Sequence, residues 1–298
     1  MSILTMQNHP PPTPLSTTNP TVAFTTPSNY ANRLSHLLTL KGLTPLWCPT
    51  VTIQCTPQTK SFLKPYLSPL NPIDPTPPLD RFSAVAFTSR TGISAFADAM
   101  SENDKPPLSP FGELFTIAAL GKDSTLIDED YISMVCENPK RVRILVPPTA
   151  TPTGLVEALG DGRGRRVLCP VPMVVGLEEP PVIPNFLREL GLSRWMAVRV
   201  NGYETRWAGP ECAEGVAARV EEGYLDSIVF TSTGEVEGLL KSLREFGLDW
   251  GMVRKRCRRL VVAAHGPVTA AGAERLGVDI DVNSGALWIE QKIIIQLL

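Results

Sequence analysis

The chain contains no Asp or Glu before Asp74, no Arg before Arg33, and histidine only at His9, His36 and His265. Histidines so sparse, and so far from cysteines and carboxylates in spacing, do not make a metal site. The six cysteines (Cys48, Cys55, Cys136, Cys169, Cys212 and Cys257) include no Cys-x-x-Cys pair. Such scatter fits reduced thiols in a reducing compartment better than a disulfide frame. No apolar run approaches the ~18 residues a membrane helix needs. A net charge of −2 gives no pull toward nucleic acid or an anionic membrane surface. No secretory signal is visible; scarcity of acids near the start is one trait of organelle transit peptides, but Arg is scarce there too. Nucleotide-binding glycine patterns also fail. Gly160-x-Gly162-x-Gly164 precedes a strand instead of following one, and no G-x-x-x-x-G-K-[ST] occurs.

What is present describes a globular chain. Its 298 residues, 43% hydrophobic and 19% charged, suffice for one large domain or two ordinary ones. Residues 1–20, rich in Pro, Ser and Thr, are expected to be disordered. Fifteen of the 29 prolines lie before residue 80, so 56–80 reads as a long loop with one short helix near 61–66.

The most informative stretch is Ser227 to Leu240, S-I-V-F-T-S-T-G-E-V-E-G-L-L. It reads as a short apolar strand, a turn of hydroxyl residues and a helix start. Residues 84–96, A-V-A-F-T-S-R-T-G-I-S-A-F, say the same thing earlier, and Ser89 and Ser232 are 143 apart (232 − 89). Val22 and Val167, each opening a strand, are 145 apart (167 − 22), as are Gly121 and Gly266 (266 − 121). Three landmarks in one order argue an internal duplication. Strands alternate with helical stretches throughout, which predicts parallel sheets with helices on both faces, twice over. Ligands of such sheets sit beyond the strand carboxyl ends, where both hydroxyl turns fall. The fold expected is therefore α/β: two similar parallel-sheet lobes with a cleft between them.

Hydroxyls and free amides at helix starts form a ready anion site. Singly, each Ser or Thr is also an ordinary helix cap. Tyr203 reads on residue type as a strand tyrosine, His265 as a loop or core histidine, and the basic runs at 163–166 and 254–259 as solvated connectors. No Ser–His–Asp set can be assembled.

The pair F-T-S at 87–89 and 230–232, V-A-A-H-G-P-V-T-A-A-G-A at 262–273 and G-Y-E-T at 202–205 together resemble the uroporphyrinogen-III synthase family, in its plant-type branch. The similarity runs from about Val22 to about Ser284. It implies a discontinuous lobe of 21–51 plus 207–298 and a second lobe of 52–206, joined by a two-stranded connector near Val51 and Tyr203. It implies a cofactor-free, metal-free lyase that cyclises hydroxymethylbilane, a linear tetrapyrrole with eight carboxylates, to uroporphyrinogen III. The last pyrrole ring is inverted and water is lost.

The resemblance makes Tyr203 the catalytic candidate, as a proton donor to the departing hydroxyl. Together with the turns it makes Ser89, Ser124, Thr125, Thr153, Ser232, Thr233, Gly266 and Thr269 the substrate-binding set. A monomer with a small polycarboxylate substrate, no nucleic acid and no membrane is expected, in the plastid. The proline-rich stretch 173–184 and the close after Ser284 depart from the family pattern. They keep a second reading open, a non-catalytic relative that binds tetrapyrroles.

Overall fold

The computed structural model describes residues 19–68 and 76–284. Nearly all of the segment expected to be disordered, and the whole stretch after Ser284, lie outside the described residues.

The chain opens with β1 (Thr21–Phe24), α1 (Ser28–Leu40), β2 (Thr44–Trp47) and β3 (Val51–Gln54). There follow α2 (Pro57–Leu67), β4 (Ala84–Phe87), α3 (Arg90–Met100), β5 (Phe115–Ala119), α4 (Glu129–Val135) and β6 (Val142–Leu145). Next come α5 (Pro152–Leu159), β7 (Arg166–Val175), α6 (Val182–Leu192) and β8 (Met196–Trp207). The last third holds α7 (Glu214–Glu222), β9 (Ser227–Phe230), α8 (Thr233–Glu245), α9 (Trp250–Arg256), β10 (Val261–His265), α10 (Gly266–Arg275) and β11 (Val282–Ser284).

These strands form two sheets, as the alternation predicts. One is five-stranded and wholly parallel, in the order β11-β10-β9-β1-β2. The other is six-stranded, β3-β8-β7-β4-β5-β6, and parallel except where β3 runs antiparallel to the end of β8, Val51 opposite Trp207 and Gln54 opposite Glu204. With β3 set aside, the order β6-β5-β4-β7-β8 repeats that of the first sheet.

Burial on both faces explains the unbroken apolar strands. In the first sheet Val22, Phe24 and Val229 pack with Ala31 and Leu38 of α1. Ala23, Ile228 and Phe230 face the other way, onto Val220, Val236, Leu239 and Val253. The second sheet divides likewise, with Val85, Phe87 and Ile117 on one side and Ala84, Ala86 and Ala118 on the other. Among the described residues, no helix is long and apolar enough to cross a membrane.

Several local expectations are corrected. The proline-dense loop holds an 11-residue helix, α2, because Thr56 and Thr59 close a reciprocal capping box and Pro57 takes the first helical position, where a missing N–H costs nothing. At the start of α1, Pro27 holds the cap position with no side-chain hydrogen bond. The turn after β5 is a 3-10 helix, Gly121–Leu126, and α4 follows with Asp128 as its cap.

Strand β7 runs ten residues through Pro170 and Pro172. It pairs with β4 only at Val167 and Leu168, so beyond them one edge is free and a missing N–H is tolerated. Strand β8 continues through Gly202, where a Cβ would lie 3.2 Å from Pro170 Cβ. The basic run 254–259 is half helix. Asp249 caps α9, and Leu248, Val253 and Cys257 anchor it in the core.

Candidate functional site

The strand ends of both sheets open on one cleft of about 730 Å³. Its walls come from the turns after β1, β4, β5, β9 and β10, from β3, and from the carboxyl halves of β7 and β8.

The turn after β4 is set by Ser89. Its extended backbone ends the strand, and its Oγ accepts the Gly92 N–H at 3.1 Å to start α3. The same oxygen lies 2.8 Å from the Tyr203 hydroxyl. Tyr203, nearly buried on β8, lines the cleft, so one serine both caps a helix and fixes the phenol.

The turn after β9 repeats the cap, with Ser232 Oγ accepting from Glu235 N at 3.3 Å. Here, however, the fully buried Glu235 carboxylate gathers the neighbouring donors. It accepts from Thr25 Oγ1 at 2.7 Å, Thr231 N at 2.8 Å and Thr231 Oγ1 at 2.5 Å. Burial pushes the Glu235 carboxyl up, and the Thr231 and Thr25 donors pull it partly back. Thr269, buried on α10, donates to the Thr231 carbonyl at 3.2 Å.

Of the residues singled out in the sequence, Ser89, Tyr203, Ser232, Thr233 and Thr269 meet in this cleft. Gly266 begins α10 beside His265 with φ +81°, a left-handed conformation suited to glycine, but is not among the cleft residues. Thr153 faces a side hollow of about 430 Å³ that shares Thr233 and Val268 with the cleft. Ser124 and Thr125 turn their hydroxyls onto the Gly121 and Lys122 carbonyls, and Asp123 is the residue of that turn that reaches the cleft.

Sequence reasoning missed the charged lining, which consists of Arg33, Arg90, Asp123, Glu178 and Glu235, with His265 at the end of β10. Burial pushes the Asp123 carboxyl up, while the Arg90 charge and backbone pull it down. A signal existed for two of these. Arg90 and Glu235 are among the positions where the two similar turns differ, Arg90 standing opposite Thr233, Thr91 opposite Gly234 and Gly92 opposite Glu235 at the offset of 143 (233 − 90 and 235 − 92). Among the described residues, no group of three or more His, Cys, Asp or Glu could hold a metal ion.

Two α/β lobes, crossed by two strands and opening on a hydroxyl-rich cleft, define a bilobal cleft protein of the parallel-sheet type. Residues 32–286 match the family described as Uroporphyrinogen-III synthase HemD. The chain belongs to the uroporphyrinogen-III synthase family. Among solved structures it is similar to a mutant uroporphyrinogen III synthase from the extremely thermophilic bacterium Thermus thermophilus, at 15% identity and a TM-score of 0.55, covering 93% of this chain and 96% of that one. A wild-type crystal form from the same organism matches at 16% identity and a TM-score of 0.42, covering 93% and 98%. At such identities the first likeness is one of fold. No curated protein matches the chain.

Proposed function

We propose that this protein is a uroporphyrinogen-III synthase acting on hydroxymethylbilane, with Tyr203 as the catalytic residue. The observation that carries this reading is the Tyr203 hydroxyl, held 2.8 Å from Ser89 inside an interlobe cleft of a chain in that family. A cleft of about 730 Å³ falls in the range of small-molecule sites.

In this mechanism Ser89 donates to the phenol oxygen and the phenol donates to the departing hydroxyl. The C–O bond breaks, water leaves and an azafulvene cation remains. The substituted carbon of the last ring attacks it, the spiro intermediate fragments, and the ring closes inverted with loss of a proton. Orientation carries much of the rate and all of the isomer choice, because the uncatalysed closure gives the symmetric product. The substrate carboxylates are held by the amides starting α3, α8 and α10, by Ser232, Thr233 and Thr269, and by the Arg33 and Arg90 charges. Gly266 gives the start of α10 its shape, Thr153 is an outlying contact, and Ser124 and Thr125 act behind Asp123 as turn formers.

The test supplies hydroxymethylbilane and separates the uroporphyrin isomers after oxidation. Isomer III in excess is expected. Symmetric isomer alone, as without enzyme, sinks the assignment.

We read the lobes as 21–51 with 207–298 and 52–206, products of an internal duplication. The shared strand order and the matched places of Val22 and Val167, Ser89 and Ser232, and Gly121 and Gly266 support this. A superposition of the two sheets that left these pairs unmatched would overturn it. The plant-type resemblance extends the proposal to a plastid setting, which a fluorescent fusion of the full chain staying in the cytosol would refute.

A further inference from the structure

The two chain crossings between the lobes bring a cysteine pair together. Cys48 follows β2 three residues before β3 begins. Cys212 lies in the one-turn helix Pro210–Ala213 that follows β8. The crossings are joined where Ala208 N donates to the Thr50 carbonyl at 3.0 Å, next to the Val51–Trp207 pair.

Helix α8 packs against both crossings. At Gly238 a Cβ would lie 2.7 Å from the Thr50 carbonyl oxygen, so the first crossing touches the helix backbone. One turn further on, the Ser242 hydroxyl accepts from Trp207 Nε1 at 2.9 Å and lies 3.2 Å from Cys212 Sγ. Cys48, buried, and Cys212, partly exposed, pack into the same core beside the joined crossings.

The two sulfurs are not equivalent. Interaction with the Cys48 thiol, and then with the Ser242 hydroxyl, holds the Cys212 thiol low, at about 7. The Cys48 thiol is raised by Cys212 and by burial. Burial also raises Cys55, and pushes Cys169 up to about 12.

We propose that Cys48 and Cys212 are a thiol–disulfide exchange site at the neck between the lobes, with a low-molecular-weight disulfide such as oxidised glutathione as the oxidant. The Cys212 thiolate attacks one sulfur of the small disulfide and expels a thiolate. Cys48, losing its proton, attacks Cys212 sulfur and expels the second. The two protein thiols lose two electrons and two protons, and the small disulfide becomes two thiols. The bond closes a loop from 48 to 212 that contains every strand of the six-stranded sheet. It would tie both crossings together and limit movement of one lobe against the other.

The test treats the full chain with oxidised glutathione at neutral pH, alkylates the remaining thiols and maps peptides by mass. Loss of two of the six free thiols in one Cys48–Cys212 cross-link, reversed by dithiothreitol, is expected. Cys48→Ser, or Cys48→Ala if the serine variant does not fold, should stop at a single glutathione adduct on Cys212. In the untreated protein Cys212 should react with iodoacetamide about tenfold faster than the other five, since the thiolate is the nucleophile. A different pair, an adduct elsewhere in Cys48→Ser, or no preference for Cys212 overturns the proposal.

Discussion

The turns at 88–92 and 231–235 begin from the same sequence pattern and end in different chemistry. Both cap a helix through a serine. At Ser89 the cap oxygen is shared with Tyr203, and Arg90 follows it. At Ser232 the cap serves Glu235 itself, which stands in the place of Gly92 and collects the Thr25 and Thr231 donors into a buried carboxylate. A capped helix start is thus a scaffold that one or two neighbouring residues convert to different uses. The first turn holds the Tyr203 phenol and a cation, and the second holds a buried carboxylate.

The sharpest way to break this contrast is Tyr203→Phe. It should lower kcat by about 10²–10⁴-fold with the fold intact, measured as the initial rate of isomer III formation. An unchanged rate would remove Tyr203 from the mechanism.

Next in size is Glu235→Ala, which leaves the Thr231 N–H and hydroxyl without an acceptor inside the core and Thr25 Oγ1 with only the Val229 carbonyl at 3.2 Å. A loss of about 2–4 kcal/mol is expected from denaturant unfolding. The carboxyl also makes stability depend on pH. Its folded pKa is raised, so its contribution is full below the ordinary carboxylate value of about 4.3 and is lost as pH rises through the folded value. Glu235→Gln should remove that slope. A difference between the Gln variant and the natural chain that stays flat from about pH 4 to 8 would refute the assignment.

The serines give a paired comparison. Ser89→Ala and Ser232→Ala should each cost about 1 kcal/mol in unfolding, as lost caps. Ser89→Ala alone should also slow turnover, by roughly fivefold to tenfold, since the phenol loses its partner. Equal activity in the two variants would make the turns equivalent after all.

The smallest effect is expected from Gly92→Ala. An added Cβ there meets neighbours no closer than 3.4 Å, so stability should stay within about 1 kcal/mol of the natural chain.

The large order of the fold was legible because apolar strands alternate with helical stretches, as burial on both sheet faces requires. What escaped the sequence depends on neighbours distant along the chain. Pro170 and Pro172 look like strand breakers until β4 is seen to leave that edge free. Thr56 and Thr59 signal a helix start, but the surrounding prolines hide it. In the site, the hydroxyls were found by their position after strands. Arg33 and His265 were not, because their place in the cleft depends on how α1 and β10 lie against the opposite lobe. Ser124 and Thr125 had the expected position and residue type, yet a 3-10 turn consumes their hydroxyls.

The placing of β1 also bears on how the chain is made. Its four buried residues lie between β2 and β9, and its partner in β9 comes 205 positions later (Ser227 against Val22, 227 − 22). At ordinary synthesis rates that is a wait of roughly 10–40 s. The six-stranded sheet, whose strands are contiguous from Val51 to Trp207, emerges complete during that interval. A ribosome therefore delivers the second lobe first. It leaves β1 apolar on both faces and unpaired on one side, the stage at which a chaperone or an unwanted edge partner has its opportunity.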